Sequence, residues 1–418
     1  MDRAHVTLPP KFPNSSAMLR HIATLLWNNR RQRLLLVGQI LLSFLVLFGV
    51  FSFVGQKFAA YATPLGFDVA DSYVIQVELP EAIDTTTVER GETFRRLRRE
   101  LEAVPGVERA AAVGFIAPFD NSQWGWGETH DGVNVWTRVF MVDEHYADAA
   151  EVELARGRWF TPADTIGGDW RVVVNEAFLE RNFPNTDMLD STFTFFGVDD
   201  VDRQTTIVGV VENFKYLSEF AEEEPLTFVP DAPWDHKHED HHMQGISVRV
   251  APGSPASLEE ELFETVAQVT GTRESVITPL ERRRELTSRE HWVPILLMLT
   301  ICAFLVANVA LGLFGILINA IAKRRGEIGL RKALGATGWG VTAQLTAEVT
   351  LVALAALVLG AGLAAQVSLF ELIDLETQHF VWGGVAAAAL ILGLVLACAL
   401  IPSGQAARIH PAVALREE

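Results

Sequence analysis

Cysteine is almost missing from this chain. Its 418 residues include two, Cys302 and Cys398, and both fall inside long apolar runs. The charged region between residues 58 and 290 has none. That region therefore holds no disulfide and no thiolate nucleophile, and it folds on its apolar core alone. At more than 200 residues it is long enough to do so. Nucleotide-binding and serine-hydrolase signatures are missing as well. There is no G-x-x-x-x-G-K-[ST] loop to cradle phosphates and no G-x-S-x-G elbow. Basic charge is scarce, with 34 Lys+Arg against 52 Asp+Glu, a formal −18. That is the wrong sign for gripping a phosphate backbone and excludes a nucleic-acid partner.

What the chain has instead is oil. It is 49% hydrophobic despite its acidity, so the apolar residues are concentrated where the charges are not. Leu34 to Val54 carries no charge over 21 residues, about 32 Å of helix against a hydrocarbon core of about 30 Å. The rival reading of this run is a secretory leader. Its length favours a membrane span. The spans expected are 34–57, 291–322, 342–370 and 380–401.

Charge then orients them. Residues 58–290 hold 44 Asp+Glu and 20 Lys+Arg, net −24, and the remainder is net +6. Lys and Arg cluster at span ends, at Arg30, Arg31 and Arg33, at Lys323, Arg324, Arg325, Arg331 and Lys332, and at Arg408 and Arg416. The short loop 371–379 has acids and no base. The positive-inside rule places 1–33, 323–341 and 402–418 in the cytoplasm, with 58–290 and 371–379 outside. The lipid bilayer is thus the first partner implied.

Periodicity gives the outside region an α+β fold of two βαβ units flanking an inserted β-rich module. Strand alternation over Ser72–Leu79, a helix over Thr85–Val104 with Phe94, Leu97, Leu101 and Val104 on one face, and a strand over Val107–Phe115 form the first unit. Ile246–Val250, a helix over Ser254–Val269 and a strand around Val276 and Ile277 form the second. Between them, strands are expected at Val133–Val142, Arg171–Val174, Thr192–Phe196 and Thr205–Val211. Arg282–Glu290 is a polar helical pattern running into the second span, which predicts a stalk outside the bilayer. Met18, Leu19, Ile22, Leu25 and Leu26 mark an amphipathic helix before the first span, lying in the inner interface or packed on the other spans.

Several residues invite a chemical reading. Asp235-His236-Lys237-His238-Glu239-Asp240-His241-His242 gathers four imidazoles and three carboxylates, ligands suited to zinc or copper. His236, His238, His241 and His242 are metal candidates, and a solvated polar loop bounded by Pro233 and the strand from Ile246 is the blander alternative. Trp124, Trp126 and Trp136, with Gly125 and Gly127, read either as an outside contact surface or as core of the inserted module. Gly312 and Gly315, Gly360 and Ala364, and Gly384 and Ala388 fit close helix packing, and Asn308 fits a buried interhelical hydrogen bond. No charge sits mid-span, which argues against an ion pathway.

The turn Arg325-Gly326-Glu327-Ile328-Gly329-Leu330-Arg331-Lys332-Ala333-Leu334-Gly335-Ala336 closely resembles the loop after the second span in the MacB/FtsX family of ABC transporter permeases. Further matches follow in family order. Val104-Pro105-Gly106-Val107-Glu108, Gly157-Arg158-Trp159-Phe160, Val173-Val174-Asn175-Glu176-Ala177-Phe178 and Ile207-Val208-Gly209-Val210-Val211-Glu212-Asn213-Phe214 resemble landmarks of its extracytoplasmic domain. Ala406–Arg416 resembles its C-terminal signature. The resemblance implies a dimeric permease of a bacterial cytoplasmic (inner) membrane, either with a second copy or with a paralogue. It implies a separate cytoplasmic ABC ATPase that holds ATP and Mg, no cofactor in this chain, and a periplasmic adaptor as a further partner. It also implies mechanotransmission, in which ATP-driven motion reaches the outside domain. The coupling surface carried over is Arg324, Arg325, Glu327, Ile328, Gly329, Leu330, Arg331, Lys332, Ala333, Leu334, Gly335 and Ala336. Glu327 precedes Arg331 by four residues, the favourable order for a helical ion pair. The expected role is export or extraction of an apolar or peptide-like substrate. The alternatives are an FtsX-like transducer that controls a cell-wall hydrolase and, on the His-rich loop alone, a membrane-anchored metalloenzyme.

Overall fold

The computed structural model describes residues 30–80, 87–114, 117–120, 122–130, 133–165, 170–194, 204–230, 243–323, 326, 330, 337–369 and 377–406. In chain order the elements are α1 (Arg30–Ala62), β1 (Ser72–Gln76), α2 (Thr87–Glu102), β2 (Val107–Val113), β3 (Gly125–His130), β4 (Val133–Val142), α3 (Tyr146–Ala150), β5 (Leu154–Gly157), a 3₁₀ turn (Pro162–Thr165), β6 (Trp170–Asn175), α4 (Glu176–Asn182), β7 (Thr192–Thr194), β8 (Gln204–Val211), β9 (Leu226–Pro230), β10 (Gly245–Val250), α5 (Ser257–Thr270), β11 (Val276–Pro279), α6 (Leu280–Lys323), α7 (Gly338–Leu369) and α8 (Thr377–Ala406). The chain forms two compact units, Met1–Gln56 with Pro294–Glu418, and Lys57–Val293.

Among the described residues, four helices are long and apolar enough to cross a membrane. In α1 the buried side chains Leu36, Ile40, Phe44, Leu47 and Phe48 recur every three or four residues, while Leu34, Leu35 and Leu42 face outward. That stripe packs with Val309 and Leu313 of α6, Ala353 and Ala356 of α7, and Ala387, Ile391 and Val395 of α8. Small residues give α1 its seats. A Cβ on Gly360 would lie 2.5 Å from Phe44, one on Gly312 2.7 Å from Gln39, and one on Gly384 3.7 Å from Phe48. Ala364 and Ala388 belong to the same packed cluster, whereas Gly315 faces open space. Asn308 departs from expectation, being exposed. Its amide bonds back to Phe304 O of its own helix at 3.4 Å, and the interhelical bond runs from Gln39 Nε2 to the Asn308 backbone carbonyl at 3.1 Å.

In the second unit the sheet order is β11-β1-β10-β2-β4-β9-β6-β8-β5, with β3 paired to β4 and β7 to β8. β1 is antiparallel to β10 and to β11, and β10 is antiparallel to β2. Each expected βαβ unit is therefore split by a strand of the other, the ferredoxin-like arrangement, instead of standing beside it. The insert joins at β2–β4 by one registered pair, Val113 with Val142. Asp143 reinforces this joint by accepting from Ala112 N at 2.8 Å and His145 N at 3.0 Å. Burial pushes its carboxyl up to about 7.

Strand alternation divides the core into two faces. Ala110, Ala112, Val139, Met141, Val172 and Val174 face the helical layer of α2, α5 and α4, while Ala111, Val113, Phe140, Val142 and Val173 face an aromatic layer of Phe67, Tyr146, Phe160, Phe214 and Phe228. Both faces are covered, so the strands are apolar throughout. The Val173–Phe178 landmark has a local cause in Asn175, which is fully buried. Its Oδ1 accepts from Phe178 N at 3.0 Å, capping α4, and from Leu226 N at 2.8 Å, while its Nδ2 donates to Glu224 O at 2.8 Å. One amide thus ends β6, starts α4 and aligns β9.

Differences from expectation are local. β1 and β2 are shorter than predicted, α5 starts at Ser257 because Pro255 and Ser254 form the preceding turn, and β3, β5 and β9 have no counterpart among the predicted strands. β3 contains two glycines and β5 is fully exposed, so neither shows the apolar alternation that marks a strand. The amphipathic segment Met18–Leu26 and the C-terminal signature beyond residue 406 lie outside the described residues.

The α1–α8 contact makes a prediction. A Cβ on Gly383 would stand 2.1 Å from Ser52 Oγ and 2.6 Å from its backbone nitrogen, whereas one on Gly362 meets nothing within 4 Å. Gly383→Leu is expected to lower the stability of the membrane unit by about 2 kcal/mol or more, and Gly362→Leu to leave it unchanged, as measured by melting in detergent.

Candidate functional site

Buried polar and aromatic contacts concentrate where the end of α1 and the start of α6 join the α/β unit. α1 must stop at Ala62 because Thr63 precedes Pro64, and its last carbonyls need partners. Lys215, on the loop after β8, supplies them. Its Nζ donates to Ala60 O, to Thr63 O at 3.2 Å, to Thr63 Oγ1 at 3.0 Å and to Glu219 O at 3.0 Å. A cation at a helix C-terminus also meets the negative end of the helix dipole. Lys215 is only 2% exposed, and burial draws its ammonium below the usual lysine range, opposed by Glu223 and Glu219. Its own backbone nitrogen donates to Leu65 O at 2.9 Å. Gly66 then takes a left-handed turn (φ +85°) where a Cβ would lie 1.9 Å from Asn213 O, so the linker is pressed against the same loop.

The other side of the loop holds α6. The Glu219 carboxylate accepts from Arg284 Nε at 2.7 Å and Ser288 Oγ at 2.9 Å. Phe220, fully buried, stacks on Tyr61 of α1 at 5.1 Å and on His291 of α6 at 5.5 Å, with Trp292 edge-on at 5.2 Å. Lys57 Nζ donates to Phe220 O at 3.2 Å. Trp292 also meets Phe58 and Tyr61 at 5.8 and 6.2 Å, an aromatic girdle of the kind found at membrane interfaces. Nearer the start of α6, Arg283 lies 3.7 Å from Asp120.

The loop Glu212–Phe220 is therefore a clasp joining two helices more than 200 residues apart in sequence. Beneath it lies Glu223, whose carboxyl burial pushes up to about 7, with Glu180, Glu176 and Glu212 adding and Lys215 opposing. In the amide orientation that satisfies both groups, Asn213 Nδ2 donates to Glu223. The expected stalk corresponds to α6, a single helix of 44 residues with Pro294 inside it.

The residues singled out in the sequence fare unequally. Of the coupling surface, Leu330 is described and is 52% exposed. Arg324, Arg325, Glu327, Ile328, Gly329 and Arg331–Ala336 lie outside the described residues, as do His236, His238, His241 and His242. The three tryptophans come together on the β3–β4 hairpin, but each is half-buried, not exposed. Trp124 and Trp126 meet edge-on at 6.0 Å and pack on the core. Trp136 lies across Gly125 and Gly127, at 3.3 and 3.2 Å from where their Cβ atoms would be, with Arg138 and Arg181 at 4.8 and 5.1 Å from its ring. Trp136 covers glycine backbone while Trp124 and Trp126 pack on the core, so packing takes part of each ring. Sequence reasoning missed Lys215, Glu219 and Phe220. The available signal was Lys215 itself, the sole lysine between Lys57 and Lys237, set in an acidic stretch.

Comparison with known proteins adds a family context. Residues 35–264 match the model of the MacB-like periplasmic core domain, and residues 297–411 match that of the FtsX-like permease C-terminal domain. The macrolide export ATP-binding/permease protein MacB of Neisseria gonorrhoeae is 23% identical over 318 residues, covering 75% of this chain and 48% of that protein. The probable syringafactin export ATP-binding/permease protein SyfD of Pseudomonas syringae pv. tomato is 22% identical over 293 residues, 68% of this chain and 43% of that one. The chain thus spans about half the length of the curated relatives it matches. The periplasmic region of MacB from Actinobacillus actinomycetemcomitans matches with a TM-score of 0.37 at 14% identity, over 53% of this chain and 94% of that one.

Two outcomes are expected at the clasp. Lys215→Ala orphans buried carbonyls and should cost about 2–3 kcal/mol of stability in the outside unit, read as a lower melting temperature. A carboxyl whose pKa is raised on folding stabilises most below its unfolded value and loses that contribution as pH rises through the folded one. Glu223 therefore makes stability fall between about pH 4.5 and about 7. Glu223→Gln should flatten that part of the melting-temperature profile.

Proposed function

Because the chain belongs to the MacB/FtsX family of ABC transporter permeases, we propose that it transmits force from a separate cytoplasmic ATPase to its extracytoplasmic domain. It is a multi-pass membrane protein of an ABC type whose permease components are not themselves catalytic. In the reading proposed here it sits in a bacterial cytoplasmic membrane as a dimer. ATP and Mg are held by the partner subunit, which docks on the turn Arg324–Ala336.

The observation that carries this reading is the clasp. One loop of nine residues bonds the end of α1 through Lys215 and Phe220, and the start of α6 through Glu219 and Phe220. A displacement of either helix along its axis is opposed by hydrogen bonds and stacked rings, and on α6 also by the Glu219–Arg284 ion pair, instead of being absorbed in a flexible loop. Helix ends tied in this way act as a pair, which is what transfer of motion to the domain requires. Relatives bear the names of macrolide export and syringafactin export. By that likeness the substrate is a bulky apolar or peptide-like molecule handled outside the membrane, with a periplasmic adaptor as a further partner.

Two sets of variants separate docking from transmission. Glu327→Lys with Arg331→Glu should release the ATPase on co-purification while the permease stays inserted. Glu219→Gln with Arg284→Met should keep the ATPase bound and hydrolysing but reduce substrate export by about tenfold, the equivalent of about 1.4 kcal/mol of lost coupling. Unchanged export in the second variant, with the protein folded, removes the clasp from the mechanism.

A further inference from the structure

The extracytoplasmic unit carries a second organised surface, on the side away from the aromatic core. α2 and α5 lie next to each other on one sheet face, buried through Phe94, Leu97 and Leu101 and through Leu258, Leu262 and Val266. The split topology makes them antiparallel, so the C-terminal half of α2 and the N-terminal half of α5 sit at the same end. Contact there is direct, with Ala251 N donating to Gly106 O at 2.8 Å and Gly106 packed on Leu258.

At that end the two helices expose opposite charge. Arg95, Arg96 and Arg99 stand out from α2, and Glu259, Glu260 and Glu261 from α5. Glu92 lies a turn nearer the start of α2, and Glu100 flanks the arginines. Elsewhere in this unit arginines pair with carboxylates, as Arg98 does with Glu102, Arg138 with Glu224, Arg249 with Asp68 and Arg273 with Glu264. Among the described residues none of these six charges has an ion-pair partner, although acid and base stand on neighbouring helices. α2 alone holds five of the 20 Lys and Arg residues found between 58 and 290, a region of net −24. Two such regions repel unless they meet where base is concentrated.

We propose that the α2/α5 face is where two copies of this chain meet outside the membrane, the arginines of each α2 against the glutamates of the other's α5. A two-fold axis parallel to the helices keeps the height of every residue. It therefore brings Arg95, Arg96 and Arg99 level with the partner's glutamates twice over, once on each side of the axis, which makes the patch self-complementary. The like-on-like arrangement, α2 on α2, is repulsive. This inference rests on the dimer reading above and adds its surface.

The test uses the full-length chain in detergent with Cys302→Ala and Cys398→Ala as background. Two differently tagged chains are co-expressed, one with Arg99→Cys and the other with Glu260→Cys, and oxidised. The expected result is a disulfide-linked species carrying both tags, reduced about fivefold in yield when Arg95→Glu and Arg96→Glu are added to the first chain. Introducing Glu259→Arg and Glu261→Arg in the second chain should restore it. If the two tags co-purify but no such link forms, or if the link ignores the charge reversals, this surface is wrong while the dimer stands. If the tags do not co-purify at all, the dimer reading fails and this inference fails with it.

Discussion

A buried ammonium and a buried helix end are each costly alone, and here they cancel. α1 finishes with carbonyls that no further turn can satisfy, and among the described residues the Lys215 ammonium has no carboxylate in hydrogen-bond contact, donating its bonds to backbone and hydroxyl oxygens. The net worth of such an arrangement lies less in the bonds made than in the cost of leaving either party unpaired. It places the loop Glu212–Phe220 at a fixed point on the helix. Everything else at this end follows from that position, since Glu219 and Phe220 reach α6 only because Lys215 has set the loop's register.

The architecture was legible where physics acts locally along the chain. Spans, the sign of each flanking region and the two amphipathic helices of the outside domain follow from runs and periods of three to four residues. β4, β6 and β8 follow from β-branched alternation, and β8 matches to within a residue. Legibility fails where the deciding contact is remote. Nothing near Ser72 indicates that its strand will lie between two strands some 170 and 200 residues later. Nothing in GWGETH marks a strand, because β3 is held by its hairpin partner and by the Trp136 ring instead of by its own apolar residues. Lys215 was visible as an isolated base among acids, but that pattern ordinarily means a solvated loop. Only the arrival of α1 from 155 residues away makes it a cap.

The two halves of the outside domain differ in how firmly they are joined. Within the split βαβ half, strands pair over four to six residues, yet the link between that half and the insert is a single registered pair braced by Asp143. The buried carboxylate stands in for ladder bonds the strands do not make, and Arg98 of α2, 3.9 Å away, ties the brace to the helical layer. Stiffness is thus high at the clasp and lower at the mid-sheet joint.

Interleaving has a kinetic side. β1 and β2 gain their shared neighbour only when β10 appears, and β1 its outer neighbour only with β11, which runs directly into α6. The first third of the domain therefore waits on the far side of the membrane, with unpaired strand edges, until almost the whole of it has been translocated. The last strand to arrive is also the last residue group before the next span, so completion of the sheet and insertion of α6 become successive moments of a single event. Completion of the sheet is consequently timed from the far end of the domain, and the strand edges left open until then are its aggregation-prone surface.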